Sequence, residues 1–293
     1  MYKSLAEAIR DAEASGRTLS QTALDMESAD QGRTVEDIRG VLGRALVVMR
    51  GAVEQGMVGD LYSASGLVGG DAAKLRTGPP GPLAGTAFRD VLARALAVQE
   101  VNAAMGVIVA APTAGGAGVL PAVLTGLAAS KGFGDETLVD ALAAAGLIGA
   151  VIAERASLSG AEGGCQAETG AGAAMAAGSA TEMLGGTPSQ AGHAIALTLQ
   201  GMLGLVCDPL GGLVELPCVF RNATGSAIAL AGIEMALAGV TFAIPVDEVI
   251  DVMGEIGREM DVRYKETAGG GLAATPTGRR LARERLYQIK RGG

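Results

Sequence analysis

The sequence predicts a mainly α fold: a single all-α domain whose glycine-rich loops converge on one site. Three observations carry this expectation. Apolar residues recur at helical spacing, as Val35, Ile38, Leu42, Leu46, Met49 and Val53 do, which lines one face of a helix. Alternating apolar and polar runs that would mark strands are few. The 293 residues include 46 glycines and no tryptophan, and only 3% are aromatic. Such a core must come from close contact between helices lined by Ala, Gly, Leu and Val. Nothing in the chain resembles a disordered linker, so one domain over 1–293 is expected, with residues 1–55 as a helical cap within it.

Taken in order, Leu5, Ala8, Ile9 and Ala12 share a face and predict a helix over 3–13, ended by Gly16. A short helix is expected over 20–30. Thr34 with Asp37 three residues on makes a capping-box start for the next helix. Residues 60–86 change character. LYSASGLVGGDAAKL brings Ser63, Ser65, Asp71 and Lys74 into a loop region, and TGPPGPLAGT breaks the chain. Helical spacing returns over 87–105, and APTAGGAGVLPAVL at 111–124 then places turn formers inside apolar sequence. A helix over 135–155 leads to the loop around Cys165. Alanine-rich helices are expected at 171–184 and 188–203. Residues 207–218 read as a loop, with two prolines and Gly211-Gly212. Helices follow at 222–239 and from Pro245 to about 258, and the tail YKETAGGGLAATPTGRRL joins a glycine cluster to a basic end.

Charge and motif exclude several functions. Lys and Arg number 23 against 31 Asp and Glu, a net charge of −8, which argues against nucleic acid as a partner. Mean hydropathy is high at +0.35, and no charged residue lies between Glu100 and Lys131 or between Glu182 and Asp208. Both runs are interrupted, the first by Pro112, Gly115, Gly116 and Pro121, the second by Gly185, Gly186 and Pro188. A membrane span needs about 20 consecutive apolar residues, so these runs are expected to be buried helices joined by buried loops. The start lacks a cationic, signal-like segment, which predicts a cytoplasmic chain. No Gly-Lys-Ser/Thr follows GGAG at 115–118, as a phosphate loop would require. Lys74 and Lys265 lack the surroundings of a pyridoxal phosphate lysine, and no G-x-S-x-G elbow is present.

The three cysteines lie in GAEGGCQAETG (Cys165), LVCDPLGGL (Cys207) and ELPCVFRNATG (Cys218). A free cysteine is often just a small buried hydrophobe, but each of these stands beside glycine or proline, a context that suits a ligand. Zinc takes four ligands, and the one histidine, His193, sits in the helical pattern QAGHAIALTL and reads as structural. Three thiolates on a [4Fe–4S] cluster would leave one iron open for Lewis-acid chemistry. Doubled glycines at 69–70, 115–116, 163–164, 211–212 and 269–271 would let backbone N–H groups approach a ligand.

Five strings in one order, SGLVGGDAAKL, APTAGGAGVLPAVL, GAEGGCQAETG, GLVCDPLGGLVELPCVFRNATG and KETAGGGLAATPTG, resemble the iron–sulfur-dependent L-serine dehydratases. The likeness is to the α subunit of the two-subunit bacterial type. It covers nearly the whole chain and is weakest over the first 30 residues. The resemblance implies an all-α catalytic domain, a [4Fe–4S] cluster on Cys165, Cys207 and Cys218, no pyridoxal phosphate, and deamination of L-serine to pyruvate and ammonia. The sequence departs from single-chain members, which carry an N-terminal α/β domain with a Ser-Ser-His-Thr type motif; some of them also end in a cysteine, where this chain ends in Arg-Gly-Gly. A separate β subunit is therefore expected as partner, with apolar surface where it docks and self-association of the isolated chain.

Within the matching segments, the serine carboxylate needs donors from the backbone of 113–118, the Thr113 hydroxyl or Arg221. Lys74, Asn102, Asn222, Lys265 and Thr267 are further catalytic candidates. Lys74 is the first choice for general base, which requires its pKa to be lowered by burial or a nearby cation. A different class of function stays open: a cluster-binding structural or regulatory subunit whose partner carries the catalysis.

Overall fold

Capping signals in the sequence set the first three helices. Ser4 Oγ accepts from the Glu7 N–H (3.2 Å) at the start of α1 (Leu5–Ser15). Thr18 and Gln21 form a capping box for α2 (Leu19–Gln31), and Thr34 and Asp37 form the expected one for α3 (Val35–Val58). The computed structural model describes residues 1–79, 81 and 85–289. Beyond α3 lie α4 (Asp71–Thr77), α5 (Thr86–Ala103), α6 (Val119–Lys131), α7 (Asp135–Arg155), α8 (Gly160–Gly163), α9 (Ala171–Met183), α10 (Pro188–Gln200), α11 (Cys218–Leu237), α12 (Val246–Glu259) and α13 (Pro276–Ile289). The described residues contain no strand, only an isolated bridge between Cys207 and Lys265. The fold is mainly α, as expected.

Three helices stand where loops or a tail were expected. The backbone N–H groups of Asp71 and Ala72 donate to the buried Glu100 carboxylate (2.7 and 3.1 Å), which caps α4 from another part of the chain. In α6, Pro121 falls in the first turn, where a helix has no partner for an N–H in any case. The basic end forms α13. Cys218 is the first residue of α11, so the loop expected there is shorter. Residues 105–107 are exposed rather than part of a buried loop. The TGPPGPLAGT break lies partly, and the Arg-Gly-Gly end wholly, outside the described residues.

Helix α9 is the centre of the core. Every residue from Ala171 to Thr181 is buried, with α6, α7, α10 and α11 packed around it. Small side chains make this possible: a Cβ on Gly178 would stand 2.6 Å from Ile148 and 2.7 Å from Ile195. Helix α7 is long and apolar enough to cross a membrane by length and composition, but here it is a core helix, mostly buried. Two carboxylates, Asp247 buried and Glu182 half-buried, fix the N-terminal helices to this core. Asp247 of α12 accepts from Ser4 Oγ (2.7 Å), Leu5 N (2.8 Å) and Ala6 N (3.0 Å), and Glu182 of α9 accepts from Leu19 and Ser20 N–H groups. Negative charge at a helix N-terminus is favourable by ~0.3–1 kcal/mol, more where partly buried.

Candidate functional site

The three cysteines arrive from three different local structures. Cys165 follows Gly164, whose φ of 75° suits glycine, and immediately precedes a π-helix, Gln166–Gly170, that runs into α9. Such π turns within helices are frequent at functional sites. Cys207 lies in an irregular segment clasped by the tail: its N–H donates to Tyr264 O (2.8 Å), and its carbonyl accepts from Glu266 N (3.0 Å). Cys218 opens α11 behind Pro217. All three are free thiols and buried.

They share one electrostatic environment. Burial pushes the Cys165 thiol up, opposed by the hydroxyl of Thr169 (Sγ to Oγ1 3.1 Å) and by the charge of Arg221. Burial also raises Cys207, and Cys165, Glu168, Cys218 and Glu266 add to the rise. Cys218 is pushed up to about 12 by burial first, then by Cys165 and Glu168. Yet among the described residues no three His, Cys, Asp or Glu side chains converge tightly enough to ligate one metal ion. The three thiols lie within electrostatic reach of one another. Bare glycines leave room beside them. A Cβ on Gly160 would lie 2.6 Å from Glu168 Oε2 and 3.3 Å from Cys207 Sγ.

Glu168 is the residue that sequence reasoning missed. It sits in the π-helix with its carboxyl against Gly115 and Gly160, and Thr113 Oγ1 donates to its Oε1 (2.7 Å). Oε2 accepts no hydrogen bond among the described residues. Burial raises its pKa, Thr113 opposes this, and the nearby Glu266 adds to it. The available signal was a lone acidic residue in the otherwise uncharged run from Cys165 to Glu182.

Thr113 opens the loop that runs into α6. Backbone N–H groups of Thr113, Ala114, Gly115 and Gly116 meet no acceptor among the described residues, which gives four successive donors for an anion. Side chains behind the loop hold it. Asn102 Nδ2 donates to Ala114 O (3.2 Å), and buried Gln99 Nε2 donates to the same oxygen (2.9 Å). Asn222, fully buried on α11, donates to Gly115 O (2.7 Å) and Cys218 O (2.9 Å) and accepts from Gly118 N (2.9 Å). Asn102 and Asn222 therefore position the loop, and Asn222 also ties it to Cys218.

Arg221 lies one turn along α11 from Cys218. Its Nη1 donates to Val206 O (2.8 Å) and stands 2.7 Å from Asp208 Oδ1, an ion pair in which the N–H is aimed at the carbonyl. That oxygen of Asp208 keeps no hydrogen bond, while Oδ2 accepts from Leu272 N (2.6 Å) and anchors the tail. A second buried carboxylate, Glu215, accepts from the hydroxyls of Ser63 (2.7 Å) and Ser65 and joins the 60–70 loop to the approach to Cys218.

Three candidates are engaged elsewhere. Lys74 is 73% exposed and paired with Asp71 (2.8 Å), which raises its pKa. The lowered pKa on which a basic Lys74 depended is thus corrected: an exposed ammonium beside a carboxylate holds its proton more tightly. Lys265 Nζ reaches Arg258 O at the end of α12 (3.4 Å), and Thr267 Oγ1 donates to Val262 O (3.0 Å). His193 is outside this cluster, accepting at Nδ1 from Phe242 N–H (3.3 Å).

A family model described as serine dehydratase alpha chain matches residues 13–273. The chain is 46% identical over 288 residues to a probable L-serine dehydratase, alpha chain, of Bacillus subtilis, covering 97% of this chain and 95% of that protein. It is 39% identical over 275 residues to the L-serine dehydratase, alpha chain, of Peptoniphilus asaccharolyticus, covering 93% and 94%. An L-serine dehydratase of Streptomyces coelicolor is 42% identical over 263 residues, covering 87% of this chain but 57% of that protein.

Proposed function

This chain belongs to the serine dehydratase alpha chain family, and from that premise we propose that it deaminates L-serine with a [4Fe–4S] cluster held by Cys165, Cys207 and Cys218. The observation that carries the reading is the junction of three buried thiols with a buried carboxyl and a loop of unpaired backbone donors. Bound there, the cluster would supply a Lewis-acidic iron to stabilise the departing 3-hydroxyl.

The chain's own residues do the rest. The N–H groups of 113–116 bind the substrate carboxylate, and Arg221 adds positive charge to the site. Glu168 Oε2 takes the α-proton, while Thr113 fixes the other oxygen of the carboxyl. Its raised pKa moves it towards working pH, where a general base is most effective. Loss of the α-proton and of hydroxide leaves aminoacrylate, which tautomerises and is hydrolysed to pyruvate and ammonia. No pyridoxal phosphate is required. A separate beta chain completes the enzyme, and the cytoplasm, which keeps thiols reduced, is its compartment.

The test is anaerobic iron and sulfide analysis with serine turnover on the same sample, for this chain alone and with its beta chain at equal iron content. About four irons per chain are expected, lost in Cys165→Ser, Cys207→Ser and Cys218→Ser, with pyruvate formed only in the mixture. Full iron and full activity in all three variants would sink the cluster assignment.

A further inference from the structure

After α5 the chain turns at Met105, which has a φ of 63° and is 87% exposed. Residues 106–110 then run without helix, turn or bend. Their sequence continues as GVIVAA to Ala111, with a Val-Ile-Val centre that favours strands. Yet the run pairs with nothing. Among the described residues the N–H groups of Val107, Ile108, Val109 and Ala110 find no acceptor, and the one bond made within the run is Ala111 N to Val109 O (3.0 Å). Ile108 packs on the core cluster between α3 and α5, and Val109 packs on the main core. Side chains thus hold the run in place while its backbone edge stays open, and Val107 is 75% exposed.

An open apolar edge invites pairing with another chain, and native proteins normally cover one. We propose that residues 106–111 are the docking edge for an extended segment of the companion beta chain, which adds to it as a strand. Main-chain hydrogen bonds would give the affinity, and the exposed Val107 an apolar contact. The proposal rests on the reading of this chain as one half of a two-subunit serine dehydratase, and two observations name the occupant. The run leads directly through Pro112 into the donor loop at Thr113, so a strand seated here would stand at the mouth of the site. The Streptomyces coelicolor relative also extends far beyond its match to this chain, whereas both alpha-chain relatives are nearly fully covered. In the two-subunit kind the remaining sequence must therefore travel on another polypeptide.

The experiment is amide hydrogen exchange on the reconstituted full-length chain, alone and with the full-length beta chain, read beside gel filtration. Amides 107–110 should exchange rapidly alone, and two of them in alternation, those facing the added strand, at least about tenfold more slowly in the complex. Ala110→Pro, which removes a donor at an exposed position, should weaken the complex by about tenfold or more, with helix content and iron unchanged. Val107→Lys leaves the backbone intact and should weaken it less. A complex in which 107–110 exchange as before would place the beta chain elsewhere and overturn the docking edge while leaving the two-subunit reading intact. Protection that rises with concentration in this chain alone would make a second copy the occupant and overturn the proposal. No complex at all would overturn the two-subunit reading and the proposal with it.

Discussion

Asn222→Ala removes the side chain that ties the donor loop to a cysteine, and its effect can be worked from the contacts. Asn222 is fully buried and makes three hydrogen bonds, to Gly115 O (2.7 Å), Cys218 O (2.9 Å) and Gly118 N (2.9 Å). Alanine leaves Gly118 N–H without a partner, and Gly115 O keeps only the long bond from Gln99 (3.4 Å). An orphaned buried polar group costs ~1–3 kcal/mol, and the missing side-chain atoms leave a small cavity. The sum is about 2–4 kcal/mol, a large part of the ~5–15 kcal/mol that holds a typical domain folded. Denaturant unfolding of the metal-free chain, followed by far-UV circular dichroism, measures it. Iron uptake after anaerobic reconstitution should fall as well, because Cys218 and the loop are no longer held together. A change below about 0.5 kcal/mol, the usual range for surface substitutions, with full iron uptake, would refute the view that Asn222 organises the site.

Other outcomes follow from the same geometry. Glu168→Gln should retain iron but lose about 10²–10⁴-fold in serine turnover; turnover within twofold of the parent would remove Glu168 from the mechanism. In the metal-free chain its raised pKa means that the native state binds this proton more tightly than the unfolded state does. Its contribution is therefore fully present below the unfolded carboxyl pKa and is lost as pH rises through the folded value. Unfolding of the two proteins across that window should show a shallower fall for Glu168→Gln. Cys218, with its pKa pushed from 9.0 to about 12, should be alkylated about 1000-fold more slowly at pH 8 in the folded metal-free chain than after unfolding, since the thiolate is the nucleophile. Equal rates would contradict its burial. Asp208→Ala should free the Leu272 N–H and unpair Arg221, destabilise the chain by ~3–5 kcal/mol as a broken buried ion pair, and speed amide exchange over 264–272.

What could be read from the sequence was mostly local. The capping box at Thr34 and the 3.6-residue spacing in α3, α5, α7 and α12 depend on near neighbours, so the pattern alone shows them, whereas the equally local box at Thr18 and Gln21 was missed. Helix α4 depends on Glu100, 29 residues from Asp71 along the chain, and no local signal reports that contact. Pro121 reads as a breaker unless the start of α6 is already known. The cysteines were conspicuous because their glycine and proline contexts are local too. Glu168 was hidden because its significance comes from Thr113, Gly115 and Gly160, three partners in two other segments. Lys74 shows the opposite error. Its place in a glycine-rich string suggested chemistry, although Asp71, three residues earlier and within reach on the same helix face, already indicated a solvent-exposed pair.

The charge balance of the site connects folding to its chemistry. Three thiols, Glu168 and Glu266 lie within electrostatic reach of one another, with Arg221 the cation that acts on Cys165 and Cys218. Part of that positive charge already serves Asp208. With so little compensation, the folded metal-free chain keeps its thiols protonated, as the upward shifts of all three require. On the proposed reading, holding a cluster as thiolates would require release of those protons, so iron loading should weaken as pH falls. Independent ties hold the segments around the site: Asn222 the donor loop, Asp208 the tail and Glu215 the 60–70 loop. The cysteine segments are also tied to one another: Gln166 N–H donates to Leu205 O (3.0 Å) and Arg221 Nη1 donates to Val206 O (2.8 Å), which joins the surroundings of Cys165, Cys207 and Cys218 through protein hydrogen bonds alone.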